Sequence, residues 1–304
     1  MTTSEVQISV VIPAYNYGET LPRAAESVLR QLDEHAELII IDDGSTDNTA
    51  VVMAALEQAY PGRFRAIRQV NAGLAAVRNR GIDEARGAYL VFLDADDEMV
   101  DGALALLLRH IAENPDSRLI IGGHISVYAN GRRKEHAPDP LPATAIARVK
   151  GYLLEKTLGV SNGACAMHRE VFGLGRYPER FRNAEDIPVF AQVFAAYPCT
   201  LLHSPLALIY KHDDSLRHNL SYGMQIGEQL IGEVFDSGRL PAAMQVLKKP
   251  FTAQRYLSLF RTFVTAGENQ KAREFYRQAL KADWRAVLRW SYTRKAIKLW
   301  LGGE

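Results

Sequence analysis

Over its first hundred residues the chain alternates short apolar runs with longer stretches whose apolar positions recur every three or four residues. Ile8-Ser9-Val10-Val11-Ile12-Pro13, Glu37-Leu38-Ile39-Ile40-Ile41, Phe64-Arg65-Ala66-Ile67-Arg68 and Tyr89-Leu90-Val91-Phe92-Leu93 are short and rich in β-formers, and read as strands. Between them Leu21, Ala24, Val28, Leu29 and Leu32, then Val51, Val52, Ala55 and Ala59, then Leu74, Val77, Ile82 and Ala85 fall at helical spacing. Strand, loop and helix in repetition predict a parallel sheet with helices on both faces.

Past residue 100 the pattern loosens. Leu104, Leu107, Leu108 and Ile111 predict a helix that ends at Asn114-Pro115, and Arg118 to Tyr128 a strand. The Ala129-Asn130-Gly131-Arg132 turn is of hairpin type, so the sheet is expected to continue antiparallel there. Residues 146–158 read as a helix, and Cys199–Leu202 and Leu206–Tyr210 as one or two strands. From about residue 222 the chain reads as all helical.

The strands of the first half end in acids. In an open α/β sheet, ligands bind at the carboxyl ends of the strands, so Tyr15, Asp43 and Asp96 are expected to converge. Asp94 and Asp96 lie two apart on an extended segment and can face one ligand together. Crowded carboxylates repel unless a cation lies among them, and hard oxygen ligands suit Mg²⁺ or Mn²⁺. The same acids also suit a solvated turn, with Asp101 capping the next helix. No Gly-x-Gly-x-x-Gly follows the first strand and no Gly-Lys-Ser/Thr occurs, which argues against the dinucleotide and P-loop versions of this architecture.

Composition adds constraints. At 304 residues and 47% hydrophobic content, the chain has room for a large core. No apolar run approaches the roughly eighteen residues of a membrane span, and no secretory leader pattern opens the chain. Cys165 and Cys199 form neither a metal spacing nor a disulfide framework, which fits a reducing compartment and a cytoplasmic location. The net charge of +1 is uneven: between Lys271 and Lys298 nine basic residues face only Glu274 and Asp283, a segment of +7 that leaves −6 elsewhere. Trp284, Trp290, Tyr292 and Trp300 lie among those cations. Basic, aromatic and amphipathic together suit a helix on an anionic membrane surface, and equally a helix packing its aromatics on the main domain. No nucleic-acid-binding module accompanies the cations, so no nucleic-acid partner is expected.

Four segments in order carry a more specific signal: Ser9-Val-Val-Ile-Pro-Ala-Tyr-Asn16, Ile40-Ile-Asp-Asp-Gly-Ser-Thr-Asp47, Asn71-Ala-Gly-Leu-Ala-Ala-Val-Arg-Asn-Arg-Gly81 and Phe92-Leu-Asp-Ala-Asp-Asp97. Together they resemble glycosyltransferase family 2, the inverting GT-A transferases, closely over residues 8 to 100 and more loosely to about 220. The resemblance implies a GT-A-type α/β fold: a mostly parallel central sheet flanked by helices, with an α-helical C-terminal extension. It divides the chain into a catalytic domain over 1–220 (donor half about 1–100, acceptor half about 101–220) and a helical region over 221–304.

It also implies a nucleotide-sugar donor, of UDP or dTDP type, and a glycan or lipid-linked glycan acceptor. Pro13 and Tyr15 match the loop that holds the base, and Asp43 the acid that accepts from a uracil-type imide. Tyr15 and Asp43 can also be read as a packed loop aromatic and a turn residue. Arg78 falls where a basic residue approaches the diphosphate, or is a surface helix cation. Asp94 and Asp96 match the family's Asp-x-Asp. Asp96 is the expected Mn²⁺ or Mg²⁺ ligand, and Asp94 or Asp97 assists through ribose or water.

Further along, Pro188 belongs in a first helical turn, which places Glu185 and Asp186 at an N-cap. The family's Glu-Asp pair supplies the base for inverting transfer, and Asp186 is its second member. His168 and Arg169 sit in a segment that leads toward the acceptor and read as structural or functional alike. His212 matches a histidine that completes the metal shell, with Ser215 and Arg217 near the diphosphate. A nucleotide-sugar-binding protein without turnover and a sugar nucleotidyltransferase are the competing expectations. The implied setting is cell-envelope polysaccharide synthesis, peripheral on the cytoplasmic membrane face.

Overall fold

The computed structural model describes residues 6–211 and 229–301. Its sheet runs in the order β3-β2-β1-β4-β8-β6-β9-β5, with β7 paired to β6. The first four strands, β1 (Ile8–Ala14), β2 (Ala36–Asp42), β3 (Arg65–Arg68) and β4 (Tyr89–Phe92), are all parallel. They are joined by α1 (Leu21–Leu29), α2 (Thr49–Ala59) and α3 (Leu74–Glu84), so every β-to-α loop opens on one edge of the sheet.

Uninterrupted apolar strands are needed because both faces are covered. Side chains alternate across the sheet, so Val11, Ile39 and Ile41 enter one core while Val10, Ile12, Leu38 and Ile40 enter the other. The second core is closed by α1, α2 and α4 (Ala103–Glu113) through Leu21, Val28, Leu56 and Leu107. The first is closed by α3, α5 (Ala145–Lys150) and α6 (Asp186–Ala196) through Val77, Val149 and Phe190.

Beyond β4 the sheet turns mixed. The short β5 (Glu98–Met99) pairs antiparallel with β9 (Cys199–Lys211), and β6 (Leu119–Tyr128) forms the expected hairpin with β7 (Arg133–His136). β8 (Cys165–His168) lies antiparallel between β4 and β6, a central strand the apolar pattern did not reveal. The two stretches expected near 199–210 are one strand. Pro205 falls opposite Gly123 with a register shift on either side, so its missing N–H is absorbed in a bulge while pairing with β6 continues. The helix expected over 146–158 is α5 plus a π-turn over Gly151–Glu155, stopped where Lys156 takes a left-handed backbone, φ 58°.

The described helical residues 229–235 (α7) contribute Leu230, Ile231, Val234 and Phe235 to the first core. Phe251, near the start of α8 (Lys248–Thr265), joins the same core. The rest of α8 packs with α9 (Asn269–Ala282) and α10 (Trp290–Leu301) in a third cluster built on Leu257, Phe260, Phe263, Tyr276 and Ala296.

Candidate active site

Two loops meet at the carboxyl ends of β1 and β2. Asn16, held at φ 60°, accepts the Thr46 N–H (2.8 Å) on its Oδ1 and donates its own N–H to Ser45 Oγ (2.9 Å). The Tyr17 N–H reaches Thr49 Oγ1 (2.9 Å), and the Gly18 N–H reaches Asp47 Oδ2 (3.1 Å). This latch leaves the Tyr15 ring 45% exposed just past β1, while Pro13 stays buried within the strand against Ile41. Sequence reasoning did not find the latch. Its signal was the Asn after the first strand together with the Ser45-Thr46-Asp47 turn.

Asp43 is only 2% exposed. Its Oδ1 accepts from Gln69 Nε2 (2.8 Å) and the Ala72 N–H (2.9 Å), and its Oδ2 from the Gly73 N–H (2.8 Å). The acid therefore fixes the 69–73 loop at the edge of the site, with acceptor capacity remaining on Oδ2. Gly73 has φ 94°, a backbone conformation that favours glycine, and Arg182 Nη1 lies over it, 2.2 Å from where a Cβ would stand. Arg182 is exposed and has neither a hydrogen bond nor an ion pair among the described residues.

After β4 the three acids part company. Asp97 turns inward and accepts the Tyr210 N–H on Oδ1 at 2.9 Å. Burial and the neighbouring Asp94 and Asp96 carboxylates lift it to about 8. Burial and then Asp96, Asp94 and Asp97 push the nearby Tyr17 phenol up to about 12. Arg23 of α1 holds the turn: Nη2 donates to the Asp96 carbonyl (2.6 Å), Nε pairs with Glu98 (3.2 Å), and the guanidinium lies 3.7 Å over the Tyr210 ring.

Asp94 faces Arg78. This α3 arginine is 3% exposed, and donates to Asp94 Oδ1 at 3.2 Å and to Glu185 Oε1 at 2.6 Å. Burial alone would lower its pKa, but Asp94, Tyr177, Glu185 and Asp186 together raise it, so the guanidinium stays charged. Neither a solvated helix cation nor an exposed one, Arg78 ties the Asp-x-Asp turn to the acid pair. Burial raises the Glu185 carboxyl, Arg78 opposes this and Asp186 adds to it.

Asp186 opens α6, and Glu185 stands at the N-cap without a side-chain capping bond because Arg78 occupies it. Ala184, just before the pair, has φ 62°. A left-handed alanine costs of order 1 kcal/mol, and such strain gathers at functional sites. Asn16, Lys156 and Ala184 are the non-glycine residues with positive φ among the described residues. Asn16 and Ala184 directly flank the two halves of the site, and Lys156 lies within electrostatic reach of Asp186. Tyr152 and Tyr177, both near Asp186, have phenols raised far above the usual value by burial and then by their charged and polar neighbours, so they remain neutral.

His168 and Arg169 have structural contacts. His168 Nδ1 accepts the Glu170 N–H (3.3 Å) and the ring stands edge-on to Tyr89, while Arg169 donates to the Ala85 carbonyl (2.9 Å) at the end of α3. His212, Ser215 and Arg217 lie outside the described residues. Among the described residues, no three His, Cys, Asp or Glu side chains come together as a metal-ligand set. The donor chemistry at the turn nevertheless fits a hard divalent ion. Asp96 lies beside Asp94 and Asp97, close enough for its charge to add to the burial that raises Asp97, and Mg²⁺ commonly binds one or two protein carboxylates plus substrate phosphates.

Residues 9–174 match the family model described as Glycosyl transferase family 2. The chain belongs to this family. Among its relatives, the succinoglycan biosynthesis protein ExoU of Rhizobium meliloti (strain 1021) is 33% identical over 199 residues, 62% of this chain and 57% of ExoU. The uncharacterized glycosyltransferase YibD of Escherichia coli (strain K12) is 43% identical over 99 residues, 33% of this chain and 28% of YibD. The match thus spans less than two thirds of either relative's length. Among solved structures, S. aureus TarS 1–349 in complex with UDP-GlcNAc superposes with a TM-score of 0.69 over 97% of this chain and 89% of that one, at 19% identity. The mannosyltransferase PcManGT from Pyrobaculum calidifontis, in complex with GDP-Man and Mn²⁺, gives 0.57 at 15% identity over 99% and 89%. These superpositions establish the GT-A-like fold of this family 2 chain.

Proposed function

We propose that the chain is an inverting glycosyltransferase that moves a sugar from a UDP- or dTDP-sugar to a hydroxyl of a glycan or lipid-linked glycan. The observation that carries this reading is the buried Arg78 bridge, which joins Asp94 on the donor side to the Glu185-Asp186 pair on the other. A chain that only held nucleotide sugar would have no use for an acid pair set on strained backbone and tied to the nucleotide loops. Similarity to the succinoglycan biosynthesis protein ExoU and to the minor teichoic acid biosynthesis protein GgaB supports an envelope or extracellular polysaccharide as the acceptor.

In this reading the exposed Tyr15 ring stacks on the base, and Asp43 accepts from its imide while holding the 69–73 loop. Arg182, the exposed guanidinium over Gly73, faces the donor's phosphates, and Arg78 acts from beneath by positioning Asp94 and Glu185. A divalent cation held by Asp96 would offset the charge of the leaving diphosphate. Asp186 takes the acceptor's proton as its oxygen bonds to the anomeric carbon, and the bond to the diphosphate breaks on the opposite side with its electron pair. Glu185, neutralised by Arg78, keeps the base in place. The site so assigned belongs to the unit over 1–220, with 221–304 as a helical region whose first part packs into the same core and whose remainder lies at the cytoplasmic face of the membrane.

A thermal-shift panel of nucleotide sugars with Mn²⁺ tests the reading. One UDP- or dTDP-sugar should raise the melting temperature of the chain and leave Asp96→Ala unchanged. No stabilisation of the wild type by any nucleotide sugar would refute it.

A further inference from the structure

The +7 segment of the sequence is not uniformly available to a partner. Lys271 pairs with Glu268 (2.7 Å), Arg273 donates to the Leu299 carbonyl (2.8 Å), Arg277 lies 5.8 Å from the Trp300 ring, and Arg285 forks onto Asp283 (2.9 Å). Arg273 and Arg277 tie α9 to α10, and the other two are spent on acids beside them in sequence. Lys281, Arg289, Arg294, Lys295 and Lys298 remain, all exposed and none with an acidic partner among the described residues.

The apolar residues divide in the same way. One side of α10 is consumed by packing: Ala296 is buried, Thr293 Oγ1 lies 2.8 Å from Tyr276 Oη, and Trp300 stands edge-on to Tyr276 at 5.6 Å. About a quarter-turn round the helix from that packed face, Trp290, Arg294, Ile297 and Leu301 follow one another at spacings of three or four residues and share a line, with Lys298 beside it on the side away from the bundle. Trp290 is 65% exposed and Leu301 82%. The turn before α10 adds Trp284 and Leu288, 69% and 72% exposed. An apolar line containing tryptophan and flanked by unpaired cations is not needed by the fold, which already has its inner face.

We propose that this exposed flank of α10, with the 284–290 turn, is the surface by which the chain binds an anionic lipid bilayer. Trp284, Leu288, Trp290 and Ile297 would enter the headgroup region and the five cations would face acidic phosphates. Charge selects this occupant: a second copy would present the same five cations, whereas an anionic surface neutralises them. The helix lies on the membrane rather than through it, since no helix among the described residues is long and apolar enough to cross one. The inference is independent of the sugar-transfer reading, because vesicle binding is measured without donor or acceptor.

The test is sedimentation of the full chain with vesicles of phosphatidylcholine containing about a third phosphatidylglycerol, against phosphatidylcholine alone. Binding should require the anionic lipid and weaken as salt is raised from about 0.05 to about 0.5 M. The triple variant Arg294→Glu, Lys295→Glu, Lys298→Glu should bind at least ~10-fold more weakly, and Leu288→Ala with Trp290→Ala should also lose binding. Circular dichroism and an unchanged urea midpoint confirm that both remain folded. Absence of wild-type binding to anionic vesicles, equal binding by the charge-reversed variant, or a concentration-dependent dimer that Trp290→Ala abolishes in place of lipid binding would overturn the proposal.

Discussion

The Arg78 guanidinium lies 2.6 Å from Glu185 Oε1, across 107 residues of sequence, with both side chains buried. Breaking a buried pair strands a charge, which is far costlier than never having built it. Arg78→Met should therefore lower stability in urea by ~3–5 kcal/mol and abolish turnover. Adding Glu185→Leu removes the stranded carboxylate and should recover much of the stability without recovering activity.

Arg182 differs in kind from Arg78. It is exposed and has no ionic partner among the described residues, so Arg182→Ala should leave urea stability within ~0.5 kcal/mol of wild type. If it faces the donor, its loss should raise the donor KM by ~10-fold with little change in kcat. Steady-state kinetics with varied donor decides the matter, and an unchanged KM would remove Arg182 from the site.

Asp96→Ala should cost nucleotide-sugar affinity only in the presence of Mn²⁺, by ~10-fold or more, and should make wild type and variant alike once a chelator is added. Isothermal titration with and without metal reads this directly.

His124 and His136 stack across the β6–β7 hairpin with centroids 4.6 Å apart and planes 10° apart. Burial, then His136 and Lys211, depress the His124 imidazole to about 4 from its ordinary 6.5. Between those values the unfolded chain binds a proton that the folded chain refuses, so stability is full above pH 6.5 and falls as pH drops toward about 4. His124→Phe should flatten that acid limb in melting-temperature measurements, and an unchanged slope would assign it elsewhere.

The half of the fold that positions the nucleotide loops was legible because its strands are apolar on both faces and stop abruptly at acids. β8 was not, since four residues, Cys165 to His168, carry no period of their own and become central only by pairing with β4 and β6. The burial of Arg78 and the role of Arg23 had no local signal for a related reason. An arginine at helical spacing reads as surface, and what buries Arg78 is Glu185 far along the chain, while Arg23 finds its partners at 96–98 and Tyr210. Asp186 could be placed at a helix start from Pro188 alone, but the left-handed Ala184 before it has no signal in the residue types.

The central claim is that Asp186 is the base for sugar transfer. The direct measurement is release of nucleoside diphosphate from the donor that stabilises the chain, with a glycan acceptor library, by wild type and Asp186→Asn. The proposed mechanism predicts acceptor-dependent release by the wild type and a loss of ~10²-fold or more in kcat for the variant, with donor affinity retained. Equal turnover by the variant, or pyrophosphate as the wild-type product, would contradict it.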